Sequence, residues 1–199
     1  MPTLERLGAD DLASVVVAYR DALRSHQDAI NRLNVYPVPD GDTGTNMALT
    51  LESVVAELPD TPADLAVVCA ALSHGSLMGA RGNSGVILSQ ILRGVAEAFR
   101  DNVLGDGATV ATALGQAARG AYQAVMRPVE GTILSVVKAA AAAAEGVRAS
   151  SLVEVLDAAK AAASVALELT PEQLPVLKAA GVVDAGGAGF VLLLDAFLH

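Results

Sequence analysis

Apolar residues recur with the 3.6-residue period of α-helices along most of the chain. Alanine-rich stretches such as Ala139–Ala144 favour helix, and no segment shows the two-residue alternation of a half-buried strand. The pattern therefore predicts an all-α fold. The first predicted helix is Asp10–Leu33, and the second begins near Thr45 and ends before Pro59. Thr61, Pro62 and Asp64 open a third helix, and a fourth begins at Asn83 or Ser84 and includes Phe99. The remaining predicted helices are Ala108–Met126, Thr132–Val147, Ser151–Leu169, Glu172–Ala180 and Gly187–Leu198.

The connections between these helices are short, which predicts that neighbouring helices run antiparallel. Glycines gather at several of the junctions, most densely in Gly79–Gly85 and Gly181–Gly189. If the helices run up and down, several of these junctions meet at one end of the molecule. We expect the functional site at that end, beside the loop that follows the first helix.

The composition excludes several classes of function. A chain of 199 residues with 53% hydrophobic residues is long enough to bury one core, and we expect residues 1–199 to form one domain. The net charge of −9 and only three lysines argue against a nucleic-acid-binding protein. No apolar run is long enough for a membrane span, and Met1–Arg6 lacks a secretory pattern. A single cysteine, Cys69, lies in an apolar run and fits a cytoplasmic protein.

The loop Asn34–Asn46 carries the strongest chemical signal in the sequence. Asp40 and Asp42 are separated by one glycine, with side-chain hydroxyls and amides around them. Pro37 and Pro39 keep this segment from becoming helical. Hard divalent cations prefer oxygen ligands of this kind. The loop therefore predicts a magnesium site in which Asp40 and Asp42 are ligands.

The same loop pattern is compatible with, or similar to, three other types of site. An acidic turn is the simplest one, because aspartate and glycine are common turn residues. A calcium-binding EF-hand loop that starts at Asp40 needs glycine at its sixth position and glutamate at its twelfth. These positions hold Thr45 and Leu51, so this interpretation fails. The loop also looks like the aspartyl-nucleophile loop of haloacid-dehalogenase-type phosphatases. That chemistry needs a preceding buried strand, which Pro37 and Pro39 would disrupt.

The segment Gly82–Gly85 opens the fourth predicted helix and includes Asn83 and Ser84. The free N–H groups and the dipole at a helix start attract anions, and glycines allow the backbone to approach phosphate oxygens closely. The segment does not match a P-loop. Taken alone it is an ordinary helix cap, but beside a magnesium site it predicts phosphate binding. Arg81 either adds a positive charge there or pairs with surface acids.

Two further helix starts complete the candidate site. Thr132 is followed by apolar residues suited to an adenine slot, and Asp184 lies in the glycine-rich turn before the last helix. A helix cap and a turn explain each of them if taken alone. A magnesium loop beside a phosphate-binding helix start, in a chain with so few lysines, predicts an ATP-binding helical domain of a kinase. The metal would neutralise the phosphates during phosphoryl transfer.

Three segments resemble the N-terminal nucleotide-binding domain of fatty acid kinase A, in the superfamily of the ATP-binding subunit of dihydroxyacetone kinase. They are Asn34–Met47, Gly79–Gln90 and Gly181–Phe190. The resemblance covers essentially the whole chain. It implies an antiparallel α-helical barrel of about eight helices that binds ATP with two magnesium ions. It also implies that the chain is the N-terminal part of a longer protein.

Site residues follow from the resemblance by position. Asp40 and Asp42 would be the catalytic metal ligands. Asn34 stands where the dihydroxyacetone kinase pattern has a third aspartate, so it is a further candidate ligand. The residues implied to lie beside the phosphates, metals and nucleoside are Thr43, Thr45, Asn46, Gly82, Asn83, Ser84, Gly85, Thr132 and Asp184.

The resemblance also implies an activity. A separate fatty-acid-binding protein would present a fatty acid carboxylate, which attacks the γ-phosphate of ATP to give an acyl phosphate. A carboxylate is ionised at neutral pH and needs no strong general base. The alternatives are the ATP-binding subunit of a dihydroxyacetone kinase-like enzyme, whose partner subunit holds the ketone through a histidine, a non-catalytic ATP-sensing domain, and a helical scaffold.

Overall fold

The computed structural model describes residues 5–199, which fold into α-helices without a strand. Met1–Leu4, part of the stretch that lacks a secretory pattern, lie outside the described residues. None of the helices described is both long and apolar enough to cross a lipid bilayer. The helices are α1 (Ala9–Leu33), α2 (Thr43–Glu57), α3 (Leu65–Gly79), α4 (Gly82–Phe99), α5 (Gly107–Gln123), α6 (Ile133–Gly146), α7 (Leu152–Glu168), α8 (Thr170–Gln173), α9 (Pro175–Ala180) and α10 (Ala185–Leu198).

The eight long helices of residues 5–199 form a closed ring. Each helix from α1 to α6 packs against the next one in the chain, and α10 packs against both α7 and α1. The short helices α8 and α9 lie in the connection between α7 and α10. Because short connections join successive long helices, neighbours run antiparallel. The predicted antiparallel barrel of about eight helices is confirmed.

The core of the ring is built from alanine, leucine and valine with a few aromatic anchors. Tyr19, Phe99 and Phe190 are completely buried. The Tyr19 hydroxyl donates a hydrogen bond to the carbonyl oxygen of Gly189 at 3.0 Å, which satisfies its buried polar atom and joins α1 to α10. A Cβ atom on Gly94 would lie 2.5 Å from the backbone nitrogen of Ala117, so α4 and α5 approach with their backbones nearly in contact.

One predicted helix is interrupted. The sequence predicts a single helix over Glu172–Ala180, whereas the structure has α8 and α9 with Leu174 in extended geometry between them (φ −126°, ψ 101°). Pro175 explains the break, because proline has no N–H to donate and excludes helical geometry from the residue before it.

The start of α3 also differs from the prediction. The sequence places the cap at Thr61 and Pro62 in the first turn, but the helix begins at Leu65. The side chain of Asp64 accepts a hydrogen bond from the backbone nitrogen of Val67 at 3.0 Å. Aspartate is among the strongest N-cap residues, and this one takes the cap three residues later than predicted.

Candidate functional site

Four helix junctions at one end of the ring surround a cavity of about 800 Å³. They are the α1–α2 loop, the start of α4, the α5–α6 loop with the start of α6, and the start of α10. Because the helices alternate in direction, every second junction lies at this end. The cavity therefore collects segments that are more than a hundred residues apart in the sequence.

Most of the site residues predicted from the sequence line this cavity. Thr45 and Asn46 lie in the first turn of α2 without lining it, and Gly85 is buried in the first turn of α4. Thr45 is held by Asn31 of α1, whose amide donates to the Thr45 hydroxyl at 3.0 Å and accepts from its backbone nitrogen at 3.1 Å. The residues that line the cavity are Asn34, Asp40, Asp42, Thr43, Gly82, Asn83, Ser84, Thr132 and Asp184.

Asn34 organises the α1–α2 loop. Its buried side-chain oxygen accepts hydrogen bonds from the Asp42 nitrogen at 3.2 Å, the Thr43 nitrogen at 3.1 Å and the Thr43 hydroxyl at 2.7 Å. Its side-chain nitrogen donates to the carbonyl oxygen of Val38 at 2.9 Å. All polar atoms of the side chain are engaged inside the loop. A metal ion could bind the Asn34 oxygen only by displacing these donors.

Asp40 and Asp42 are placed differently from Asn34. Asp42 occupies the N-cap position of α2, yet its carboxylate makes no capping hydrogen bond. Asp40 is exposed at the cavity edge. Within residues 5–199 no three His, Cys, Asp or Glu side chains form a group able to hold a metal ion. A magnesium ion at this pair would therefore complete its shell with water and ligand phosphate oxygens, as magnesium does in kinase sites.

The start of α4 faces the same cavity. Gly82 has a positive φ of 57°, and a Cβ atom there would lie 2.5 Å from the side-chain nitrogen of Asn46. Asn46 thus packs closely against the backbone of Gly82, and the first N–H groups of α4 have no partner inside the helix. The guanidinium of Arg81 donates to the carbonyl oxygens of Met78 and Ala80 and does not line the cavity.

Asp184 connects two helix starts at the inner end of the cavity. Its carboxylate caps α10 by accepting a hydrogen bond from the Gly187 nitrogen at 2.7 Å, and the backbone N–H groups of Gly186 and of Ile133 in α6 also favour its charged form. Burial raises the pKa of Asp184 to about 6, although these backbone donors act in the opposite direction. Thr132 caps α6 beside it by accepting from the Leu134 nitrogen at 3.4 Å.

The raised pKa of Asp184 predicts a pH-dependent stability. Because the folded-state pKa lies above the unfolded value of 3.8, the folded state binds more protons between about pH 4 and 6. The free energy of unfolding should therefore fall as pH rises through this window, by on the order of 2–3 kcal/mol relative to Asp184→Asn. Urea denaturation of both proteins at about pH 4 and pH 7.5 measures this difference. An equal difference at both pH values would contradict it.

Sequence reasoning missed the first part of the α5–α6 loop, residues 124–129, although it included Thr132 at the end of the loop. Ala124, Val125, Met126, Arg127 and Val129 all line the cavity, and Arg127 is the one basic residue among the described residues that do so. The available signal was Pro128, which interrupts a helical pattern just before another helix start, as the prolines of the α1–α2 loop do.

Comparison with known proteins places the chain in a family. The family model for the DAK2 domain matches residues 37–199. The chain belongs to the DAK2 domain family. Protein YloV of Bacillus subtilis is 42% identical over 199 residues, covering 98% of this chain and 36% of YloV. An uncharacterized protein of Staphylococcus saprophyticus is 42% identical over 192 residues, covering 94% of this chain and 34% of that protein.

This DAK2 domain therefore spans about a third of the length of the curated relatives that it matches. Among solved structures, the dihydroxyacetone kinase from C. freundii in complex with AMP-PNP and Mg²⁺ has a similar fold, with a TM-score of 0.68. The similarity covers 94% of this chain and 33% of that chain at 21% sequence identity. At this identity the comparison establishes the helical fold.

Proposed function

We propose that this DAK2 domain binds ATP together with magnesium ions and supplies the γ-phosphoryl group as the kinase domain of a longer, cytoplasmic protein. One observation carries the proposal. Asp40 and Asp42 line the same cavity as the exposed first turn of α4, which carries Ser84. Carboxylates that hold magnesium and helix N–H groups that donate hydrogen bonds to phosphate oxygens are complementary parts of a triphosphate site.

The rest of the cavity fits the nucleoside. Ile133 and Leu134 offer apolar surface next to Thr132 and Asp184, which are the polar groups at that end. Ligand pockets commonly combine apolar walls with a few polar groups that fix orientation. AMP-PNP and Mg²⁺ in the C. freundii enzyme, which shares the fold, support the same choice of ligand. We propose two magnesium ions, bound by Asp40, Asp42 and the phosphates.

We propose a fatty acid carboxylate as the phosphoryl acceptor, presented by a separate fatty-acid-binding protein and converted to an acyl phosphate. The described residues that line the cavity include neither histidine nor lysine, so a general base would have to be one of the aspartates. An ionised carboxylate needs none. Exposed apolar side chains at the cavity edge, Val38 and Met126, fit an acceptor that arrives with hydrocarbon attached.

The second candidate is the ATP-binding subunit of a dihydroxyacetone kinase-like enzyme, and the fold shared with the C. freundii enzyme favours it. In that case a partner subunit would hold the ketone. Both candidates require magnesium-dependent ATP binding in this domain, and they differ in the molecule that accepts the phosphoryl group.

Two measurements test the proposal. Calorimetry of the wild-type chain with ATP should show binding in the presence of magnesium and little binding in EDTA. The full-length protein, mixed with Mg-ATP and a loaded fatty-acid-binding protein, should form an acyl phosphate that hydroxylamine traps as a hydroxamate. Phosphorylation of dihydroxyacetone instead would favour the second candidate. Magnesium-dependent binding without any acceptor reaction would indicate an ATP sensor, and no ATP binding would refute the proposal.

A further inference from the structure

The α5–α6 loop, residues 124–132, has a fixed base. The Glu130 carboxylate accepts hydrogen bonds from the Ser135 hydroxyl at 2.5 Å and the Tyr122 hydroxyl at 2.9 Å, and it pairs with Lys138 at 3.7 Å. The Gly131 nitrogen donates to the same Ser135 hydroxyl at 2.8 Å. The Ser135 hydrogen bond is the largest of the influences that lower the pKa of Glu130, so this acceptor stays ionised at neutral pH.

The tip of the loop is constrained much less than its base. Met126, Arg127 and Pro128 are exposed, while Met126 and Arg127 also line the cavity. Within residues 5–199 Arg127 forms no ion pair, and Glu130, the acid nearest to it along the chain, is already engaged. Arg127 is therefore available to a ligand.

The charges of the cavity are out of balance without a ligand. Three carboxylates, those of Asp40, Asp42 and Asp184, line it, and Arg127 is the single cationic side chain among the described lining residues. Two magnesium ions would compensate the first two carboxylates but leave much of a triphosphate's charge unmatched. A guanidinium is permanently charged, and its planar donors match phosphate oxygens in pairs.

We infer that Arg127 is a phosphate-binding residue that contacts the terminal phosphates of the nucleotide from the α5–α6 loop. The inference rests on the proposed function, because it requires a triphosphate in this cavity. The fixed base of the loop positions the arginine, and the exposed tip lets its side chain close onto the ligand. The guanidinium would also stabilise the charge on the transferring phosphoryl group, as arginines do in other phosphotransferases.

Calorimetry with three nucleotides tests this role. Affinities for Mg-ATP, Mg-ADP and AMP are compared among the wild type, Arg127→Ala, Arg127→Lys and Arg119→Ala. We expect Arg127→Ala to weaken Mg-ATP binding by about 10- to 100-fold, the effect of losing a hydrogen bond to a charged group. The affinity for Mg-ADP should fall less, and the affinity for AMP should not change. Arg127→Lys should recover part of the loss, and Arg119→Ala, which removes an exposed arginine outside this cavity, should change nothing.

The pattern across nucleotides identifies the cause of any change. Equal weakening of AMP and ATP binding by Arg127→Ala would mean that the residue shapes the loop, and the inference would be wrong. Unchanged Mg-ATP affinity would overturn it as well. If the wild type binds none of the three nucleotides, the proposed function fails and the inference falls with it. If the wild type binds Mg-ATP and Arg127→Ala binds it with the same affinity, this inference is wrong but the proposed function is not.

Discussion

Replacing Asp42 with alanine should remove magnesium-dependent ATP binding almost completely. Asp40 and Asp42 are the two acidic residues of the α1–α2 loop that line the cavity, and no further acid joins them within residues 5–199 to form a metal-binding group. Loss of one carboxylate would leave the ion with a single charged protein ligand. We expect the affinity for Mg-ATP to fall by about 100-fold or more, since even residues that only orient metal ligands contribute about 10- to 100-fold.

Two variants make the Asp42 experiment specific. Asp42→Asn keeps the size of the side chain and removes its charge, so it should lose nearly as much Mg-ATP affinity as Asp42→Ala. Asp28→Asn makes the same charge change at an exposed position of α1 that does not line the cavity, and it should bind Mg-ATP normally. Because the Asp42 carboxylate makes no capping hydrogen bond, neither Asp42 variant should lower the melting temperature appreciably.

Magnesium titration decides whether the effect acts through the metal. In EDTA the wild type and Asp42→Asn should bind ATP equally weakly, and added magnesium should strengthen binding only in the wild type. If Asp42→Asn binds Mg-ATP as tightly as the wild type, the magnesium assignment of this loop is wrong. If the ATP affinities of the two proteins differ by the same factor with and without magnesium, Asp42 affects nucleotide binding independently of the metal.

The helices could be predicted from the sequence because the period of their apolar residues is a local property. The failures occurred where two local signals compete: Pro175 outweighed the helical pattern of Glu172–Ala180, and Asp64 outweighed Thr61 as the cap of α3. The up-and-down arrangement then brought the glycine-rich junctions together, which is why residues as distant as Asp40 and Asp184 were correctly expected at one end.

Two features of the site could not be located by sequence reasoning alone because they depend on the path of a loop. The side-chain amide of Asn34 could either bind a metal ion or organise the loop through hydrogen bonds. Only the folded loop shows that its oxygen accepts hydrogen bonds from the N–H groups at the start of α2. Arg127 looks like any surface arginine in the sequence. Its place in the cavity follows from the packing of α5 against α6 and from the network around Glu130.

Asn34→Ala should destabilise the protein even when neither magnesium nor nucleotide is present. The substitution leaves the backbone nitrogens of Asp42 and Thr43 without their acceptor and frees the Val38 carbonyl. An unsatisfied buried group such as the Thr43 nitrogen costs about 1–3 kcal/mol and a partly buried one costs less, so we expect the free energy of unfolding to fall by about 3–5 kcal/mol. Urea denaturation in EDTA measures this loss, and Mg-ATP binding should fall with it.

Asn34→Asp separates the loop-organising role from metal ligation. A carboxylate keeps the oxygen that accepts from Asp42 and Thr43 but cannot donate to the Val38 carbonyl, so the loss of stability in EDTA should be only about 1–2 kcal/mol. If Asn34 served mainly as a metal ligand, Asn34→Ala would unfold like the wild type in EDTA and lose only Mg-ATP affinity. That result would contradict the role assigned here, because a residue that holds the loop must stabilise it before any ion arrives.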